Sequence, residues 1–438
     1  MLLPLPMMQY IGEEGLYALK AWEMHVRHDW WHPSILGNVW PHPPFFHWPV
    51  ILLSNLIGWE HVDIAQRLVS VAASWFSALV VGLMARHLYP GRRCVGWLTA
   101  LLYLSMGEVF FWYGWLGYAD ALFAMFILTG FAALWLAIER EHAGWLLLSL
   151  LAIVLAYITK NFTAYVLYGL AGIVMLFRLR QWHLLKRLDF LLMGVAALAV
   201  IWLYQVVIIH SDSNATVTWH DILRNFTGYT VWAYLRHWLG YPWIFLFRTL
   251  PVGILLFWMW FRKRHAFTLQ EPLGTLLWVV AVWFLPFWIP AGGSPRYLVP
   301  LYGPVALLFT GWLLQLSGQQ QRMAVRAIIV VLILKVPYSL VALPWLKDWR
   351  PNHSQKAVAQ DVLRHADGKP IYTRDDIASG LGVAAYIDVR LPPDRFVRWY
   401  RGKMHGVFIM AEQPTPGLGK LVKRYTIRGR HLYLYWRS

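Results

Sequence analysis

Residues 12–18 read Gly-Glu-Glu-Gly-Leu-Tyr-Ala, and residues 41–48 read Pro-His-Pro-Pro-Phe-Phe-His-Trp. The first segment places two adjacent carboxylates, Glu13 and Glu14, in a chain where acidic residues are scarce, with 22 Asp and Glu among 438 residues. The second segment is rich in aromatic and histidine side chains, and its Pro-Pro opens an apolar run. Ionisable residues held at a membrane are costly and usually functional. The acidic pair is therefore a candidate for chemistry if the rest of the chain lies in a membrane.

The composition predicts a polytopic membrane protein rather than a soluble one. The chain is 58% hydrophobic and 14% charged, and its mean hydropathy is +0.46. A helix that crosses a bilayer needs about 17–25 apolar residues, and we expect about ten such spans. The run over 45–58 is shorter and predicts a helix that lies in the membrane interface. The predicted spans are 65–88, 94–112, 119–138, 143–158, 162–177, 189–209, 242–261, 272–290, 297–316 and 325–345.

Charge between the spans predicts the orientation of the chain. The net charge is +17, and short basic clusters lie between the apolar runs, after the odd-numbered spans, which argues against nucleic-acid binding. Positive connections stay on the cytoplasmic side, so 1–64, the other even-to-odd connections and the C-terminal tail face outward. The polar residues predicted on the outer side are Glu13, Glu14, His42, Glu108, Asp120, Lys160, His210, Asp212, His220, Asp221 and Arg296.

Two later motifs follow the opening segments in a recognisable order. Residues 157–160 read Tyr-Ile-Thr-Lys, and residues 296–302 read Arg-Tyr-Leu-Val-Pro-Leu-Tyr. Together with Glu-Glu-x-x-Tyr-Ala and His-Pro-Pro-Phe-Phe-x-Trp, they resemble the GT-C class of polyprenyl-phosphate-sugar glycosyltransferases. That class includes protein O-mannosyltransferases and bacterial aminoarabinose transferases. Members usually show Asp-Glu-x-x-Tyr-Ala, Lys-Pro-Pro-Leu-Phe-Tyr-Trp, Leu-Thr-Lys and Arg-Tyr-x-x-Pro, so the likeness covers roughly residues 10–345 and departs at the first acid and at His42.

The resemblance implies a catalytic base near the start of the chain. Members use the first acid of the pair, which corresponds to Glu13, and Glu14 is the alternative. Because Glu is one methylene longer than Asp, the reach of this base differs from that of the relatives. An acid at this point also favours the start of a helix, and the two interpretations are compatible. Asp120 stands where relatives often carry an acid that orients the acceptor or a metal, and the alternative is a helix N-cap.

The resemblance also implies residues that bind the carrier phosphate. His42 occupies the position of a lysine that faces phosphate in relatives, although it is also explained as an interfacial histidine. Lys160 and Arg296, with its neighbour Tyr297, are cationic candidates at the outer ends of spans, and an arginine can bind phosphate in a bidentate manner. The alternative for each cation is a side chain that extends from a helix end to the interface.

Two further interpretations concern a metal and a cover for the site. His25, His28 and His32 have the spacing of one helix face and Asp29 is close in sequence, so a divalent metal is a candidate cofactor, though the spacing is loose. No cofactor is certain from the sequence. The connection over 210–241 is polar and aromatic, and we interpret it either as a flexible cover over the site or as an ordinary loop.

Near the C-terminus the hydrophobic runs become shorter and charged residues become more frequent. We predict a membrane domain over 1–345, with an outer loop over 9–62 and a first span that is truncated. Residues 346–438 predict a small α/β domain on the outer side, with a helix over 354–365 and strands near 370–373, 406–410 and 431–436. The predicted fold class is thus an all-α polytopic membrane protein of GT-C type with a small C-terminal α/β domain.

These features together predict an inverting glycosyltransferase. It would move a sugar from a polyprenyl-phosphate carrier to a hydroxyl on a lipid, glycan or protein, on the extracytoplasmic face of the bacterial inner membrane. Its partners would be that lipid-linked sugar, the acceptor and the bilayer, and not nucleic acid. The alternatives are a transporter or lipid flippase, and a non-catalytic scaffold. A transport site is expected near mid-membrane between repeats, whereas the polar residues here gather on one side.

Overall fold

The computed structural model describes residues 1–40, 42–204, 206, 227–262, 268–349, 354–374, 378–402 and 404–438. In these ranges the chain is mostly helical and ends in a small sheet, so the predicted fold class is confirmed. Four helical stretches are long and apolar enough to cross a membrane, and further apolar helices are shorter. The protein is therefore an integral membrane protein. The four long stretches are Trp59–Leu88, Ala119–Arg140, Pro295–Leu314 and Gly318–Ala342.

The described helices follow the predicted apolar runs closely. In chain order they are α1 (Glu14–Arg27), α2 (His47–Ile57), α3 (Val62–Leu88), α4 (Val95–Ser105), α5 (Ala119–Arg140), α6 (Ala143–Thr159), α7 (Thr163–Arg178), α8 (Leu188–Leu203), α9 (Val231–Arg248), α10 (Val252–Arg262), α11 (Leu273–Trp288), α12 (Tyr302–Leu314), α13 (Gly318–Pro337), α14 (Gln355–Ala366) and α15 (Ala378–Asp388). Tighter or wider helical turns include Pro295–Leu301, which is 3₁₀, and Glu108–Tyr113, which is a π-helix.

Two predictions about elements are wrong. The run over 242–261 is two helices, because α9 ends at Arg248 and α10 begins at Val252. Pro251 lies at this break, where its missing N–H costs no helical hydrogen bond. The connection over 210–241 is not a loop throughout, since the chain is helical from Val231. The candidates in its first part, His210, Asp212, His220 and Asp221, lie outside the described residues.

One compact unit combines residues 1–69, 116–118 and 336–438. Its sheet has five strands in the order β4-β3-β5-β7-β6, with β3 parallel to both neighbours and the other pairs antiparallel. The predicted strands are present as β3, β5 and β7, and the predicted helix is α14. A domain boundary at residue 345 and a truncated first span stay predictions. The strands are β1 (Ser34–Ile35), β2 (Asn38–Val39), β3 (Ile371–Thr373), β4 (Arg398–Trp399), β5 (Val407–Ala411), β6 (Lys420–Ile427) and β7 (Arg430–Arg437).

Small residues let α1 pack directly against α15 in this unit. A Cβ atom placed on Gly15 would lie 2.6 Å from the Cα atom of Gly382, which is too close for any side chain. The buried guanidinium of Arg67 then fixes the residues before α1, since it donates to the backbone carbonyls of Met8 (2.7 Å) and Gln9 (2.8 Å). These contacts hold the start of α1, and therefore the acidic pair, in a defined position.

The other compact unit combines residues 70–115 and 119–335. In its core, α5 and α6 form an antiparallel hairpin in which Ser149 donates to the carbonyl of Gly130 (2.8 Å). The buried helix α12 is joined to α4 by a hydrogen bond between the hydroxyls of Thr310 and Thr99 (2.8 Å). In both cases a hydroxyl buried among apolar helices is satisfied by a group on a neighbouring helix. The turn Pro295–Leu301 packs against the start of α5 and against Glu108–Tyr113, which positions the residues described next.

Candidate active site

Glu14 is a structural carboxylate in the first-described unit. It is fully buried, and both of its oxygens are occupied. Oε1 accepts hydrogen bonds from Arg67 Nε (2.9 Å) and the Gly117 amide (2.7 Å). Oε2 accepts from Arg67 Nη2 (2.6 Å) and the Ile11 amide (2.7 Å). A carboxylate whose two oxygens are both occupied in this way has little capacity to accept a hydrogen bond from a further donor.

Glu13 has a different environment although it is the adjacent residue. It is the N-cap of α1, but its side chain makes no capping hydrogen bond. Its backbone amide donates to the Tyr118 hydroxyl (2.7 Å), which fixes the main chain and leaves the carboxylate half-buried. The side chain is therefore held at its base and partly open, which suits a group that must meet a substrate.

His42 lies in the same unit as the acidic pair. Its half-buried imidazole packs edge-on against Tyr17, with ring centroids 6.4 Å apart. Tyr17 is one helical turn beyond Glu13 on α1, and its ring also lies 5.4 Å from that of Tyr118, the residue that anchors Glu13. The structure thus places Glu13, Glu14 and His42 in a single unit, with His42 packed against Tyr17.

Asp120 and Lys160 form an ion pair in the other unit. Asp120 is in the first turn of α5, and Lys160 is the C-cap of α6, where a cation interacts favourably with the helix end. Lys160 Nζ donates to Asp120 Oδ1, and the second carboxylate oxygen has no hydrogen-bond partner among the described residues. The Lys160 side chain is 12% exposed, so its charge is largely withdrawn from solvent.

Arg296 and Tyr297 lie on the Pro295–Leu301 turn and join this pair. The Lys160 ammonium is 4.6 Å from the Tyr297 ring centroid, and the Arg296 guanidinium carbon is 5.3 Å from the same centroid. Both cations are within the range of a cation–π interaction. The phenol of Tyr113 lies close enough to Arg296 and Asp120 to experience their charges.

Arg248, to which the sequence motifs assign no role, forms a second ion pair with a buried acid. Its guanidinium donates to Glu108, a fully buried carboxylate at the start of the π-helix. Tyr113 experiences the charges of this pair too. The sequence alone could have indicated this ion pair, since both residues lie inside apolar runs and a charge in a membrane span requires a partner. π-helical turns are themselves frequent at functional sites.

The proposed metal set is wrong. Within the described residues, no group of three or more His, Cys, Asp or Glu side chains is arranged to hold an ion. The physical reason is the end of α1 at Arg27, where His28 adopts the left-handed conformation (φ 54°) and the helix face is interrupted. Instead, the His32 side chain pairs with Asp29 in the turn after α1, with its Nδ1 atom 3.0 Å from Asp29 Oδ1.

Comparisons with known proteins find relatives of the kind that the motifs resemble. Residues 41–205 match the dolichyl-phosphate-mannose-protein mannosyltransferase family. An undecaprenyl phosphate-alpha-4-amino-4-deoxy-L-arabinose arabinosyl transferase of Pseudomonas paraeruginosa is 28% identical over 368 residues, which is 79% of this chain and 63% of the relative. A corresponding transferase of Pseudomonas fluorescens is 28% identical over 73% of this chain and 58% of its own length. The chain therefore spans less than two thirds of the length of these curated relatives.

The fold comparison extends over nearly the whole chain. A crystal structure of ArnT from Cupriavidus metallidurans bound to undecaprenyl phosphate superposes with a TM-score of 0.71. The match covers 98% of this chain and 95% of that structure at 18% identity, which shows a shared fold. The resemblance to the GT-C class of polyprenyl-phosphate-sugar glycosyltransferases is thus confirmed in both sequence and fold.

Proposed function

We propose that this chain is an inverting glycosyltransferase that moves a sugar from a polyprenyl-phosphate carrier to a hydroxyl of a lipid, glycan or protein. The observation that carries the proposal is the placement of the two motif cations, Lys160 and Arg296, around one aromatic ring in a chain with this fold. The names of the relatives make undecaprenyl phosphate the first carrier to test and 4-amino-4-deoxy-L-arabinose the first sugar.

Glu13 is the proposed general base. Its carboxylate would remove the proton from the acceptor hydroxyl as the oxygen attacks the anomeric carbon of the sugar. The new carbon–oxygen bond forms on one face while the bond to the phosphate oxygen breaks on the other, which inverts the anomeric configuration. Polyprenyl phosphate leaves with the electron pair of that bond. Glu14 is less suited to this role because Arg67 and two backbone amides occupy both of its oxygens.

Arg296 and Lys160 are the proposed ligands of the leaving phosphate. Charge develops on the phosphate oxygens as the bond breaks, so fixed cations stabilise the transition state more than the ground state. Asp120 would hold Lys160 in place through their ion pair, and Tyr297 would fix the spacing of the two cations. His42 would donate a hydrogen bond to the carrier or acceptor.

The proposed reaction takes place on the extracytoplasmic side of the bacterial inner membrane. The basic clusters after the odd-numbered spans predict that Glu13, Lys160 and Arg296 face outward. A lipid-linked donor suits that side, because nucleotide sugars are confined to the cytoplasm. The same polarity argues against a transporter, whose binding site is expected near the middle of the membrane.

The proposal is tested by sugar transfer from a labelled undecaprenyl-phosphate sugar with the purified protein in nanodiscs. Replacing Arg296 with Gln removes a charge-assisted hydrogen bond to phosphate, and kcat/KM is expected to fall about 10- to 100-fold. Arg322→Gln is the matched control, because this exposed arginine lies in the predicted cytoplasmic connection over 317–324. Movement of the intact lipid between leaflets, without transfer, would instead favour a flippase.

A further inference from the structure

Lys20 is a buried cation that the proposed reaction does not use. It lies on α1, and its side chain is fully buried within its unit. An ammonium group carries three hydrogen-bond donors, but Lys20 Nζ makes no hydrogen bond with the described residues. The rings of Tyr17 and Trp40 lie 5.7 Å and 5.9 Å from it, close to the outer limit of about 6 Å for a cation–π interaction. These two rings replace little of the hydration that burial removes.

His47 presents further unsatisfied nitrogen atoms beside the same tyrosine. It opens α2, is fully buried, and lies 5.9 Å from the Tyr17 ring between centroids. The imidazole is close enough to Lys20 to experience its charge. It faces the Tyr17 carbonyl, but neither ring nitrogen makes a geometrically sound hydrogen bond with the described residues. Two elements, α1 and α2, thus direct polar nitrogen atoms into one buried region.

Among the described residues, no carboxylate forms a hydrogen bond with Lys20. Burial lowers the pKa of Lys20 to about 7, while the charge of Glu13 opposes that change and favours the ammonium form. A buried ammonium without a hydrogen-bonded counter-ion is costly, and its cost is removed when an anion binds. Tyr17 also contacts His42, which stands where relatives carry a lysine. Lys20 therefore places a positive charge beside the same aromatic ring that His42 borders.

We propose that Lys20 and His47 form a subsite for a phosphoryl oxyanion in this unit. The inference rests on the proposed function, in which the donor is a lipid phosphate, and it adds two residues that the motifs do not identify. A phosphoryl group has several acceptor oxygens and can take hydrogen bonds from an ammonium and an imidazole at once. The buried ring of Tyr17 lies beside both groups, and the low polarity of this buried region strengthens both interactions.

The test combines thermal unfolding with transfer kinetics in nanodiscs. The probes are inorganic phosphate, farnesyl phosphate and farnesol, and the variants are Lys20→Met, Lys20→Arg and the exposed control Lys369→Met. Lys20→Met removes a buried charge, so the midpoint of unfolding without ligand is expected to rise. The same variant should lose the stabilisation by phosphoryl ligands and show a KM for the donor raised about 10- to 100-fold. Lys20→Arg should restore part of both.

The outcomes separate the two proposals. A shift with farnesyl phosphate alone assigns the subsite to the lipid carrier, whereas an equal shift with inorganic phosphate assigns it to a free phosphoryl group. A wild-type protein that transfers no sugar, yet shows a Lys20-dependent phosphate shift, contradicts the proposed function and supports the subsite. A Lys20→Met variant with a lower midpoint and an unchanged phosphate response would show a structural or hydrated lysine and overturn the inference.

Discussion

Glu13 and Glu14 are adjacent in sequence, yet the contacts of their carboxylates indicate different roles. Glu14 is saturated by Arg67 and two backbone amides, whereas Glu13 is half-buried and makes no capping bond. We expect Glu13→Gln to abolish transfer while the midpoint of unfolding changes little. Glu14→Gln should destabilise the protein by about 3–5 kcal/mol, because Arg67 loses its buried partner. Transfer rates normalised to folded protein, measured beside unfolding curves, check both expectations.

Equal loss of stability in the two variants would contradict this division of roles. The family resemblance already favoured Glu13 over Glu14, but the residue pattern alone gave no physical reason for that ranking. The ranking depends on Arg67 and Gly117, which are distant from the pair in sequence and approach it only in the fold. Lys20 was missed for a related reason, since a lysine on a short helix is usually solvated and only burial makes it unusual.

Glu23 should make the stability of its unit depend on pH. Burial raises the pKa of Glu23 to about 7, although hydrogen bonds from Ser34 (2.7 Å) and the Gly37 amide (3.1 Å) oppose the rise. Burial and the charge of Glu23 also raise the pKa of Asp388 well above its ordinary value. Because the folded-state pKa of Glu23 exceeds the unfolded value, its stabilising contribution is complete below pH 4.5 and is lost as the pH rises to 7.

Glu23→Gln is therefore expected to raise the midpoint of unfolding at pH 8 and to flatten its decline between pH 4.5 and pH 7. The steepest decline from one such group is about 1.4 kcal/mol per pH unit. Glu60→Gln, at an exposed position of the same unit, is the control. Unfolding midpoints in matched buffers provide the measurement, and a Glu23→Gln curve parallel to the wild-type curve would show that this carboxyl does not titrate there.

At the scale of elements, hydropathy predicted where helices occur but not where their geometry changes. The runs over 119–138 and 143–158 correspond to α5 and α6 because uninterrupted apolar stretches favour helix in lipid. The break between α9 and α10 and the turns at Glu108–Tyr113 and Pro295–Leu301 were not predicted. These departures carry charged residues of the candidate site. They depend on side-chain partners from other helices, which no local window of sequence contains.

The Glu108–Arg248 ion pair should couple the π-helix to the end of α9. Arg248→Gln leaves the buried Glu108 carboxylate without its partner, so we expect a loss of about 3–5 kcal/mol in unfolding free energy. The double variant Glu108→Gln/Arg248→Gln removes both charges and should recover most of that loss. Denaturation curves of the wild type, both single variants and the double variant form a complete cycle. Strictly additive losses would mean that the pair contributes no coupling.

At the scale of the whole molecule, the distribution of charge gives a prediction of orientation that does not depend on the family. Basic clusters follow the odd-numbered predicted spans, and such clusters remain cytoplasmic. A membrane-impermeant maleimide can test this prediction because the chain has a single cysteine, the exposed Cys94. Cys94→Ser provides the background, and new cysteines are then placed at exposed positions. The outer positions are Glu60 (64% exposed) and Asp394 (77% exposed), and the inner position is His183 (54% exposed).

Intact spheroplasts should be labelled at Glu60→Cys and Asp394→Cys without permeabilisation, whereas His183→Cys should react only after the membrane is opened. The physical reason is that the connection containing His183 also carries Arg178, Arg180 and Lys186, whose translocation is opposed. Labelling of Asp394→Cys only after permeabilisation would place the C-terminal sheet in the cytoplasm. Asp394 and Glu60 belong to one compact unit. If one of these two positions were labelled from outside and the other only after permeabilisation, either their membership of one unit or the proposed outward orientation of Glu13 would be contradicted.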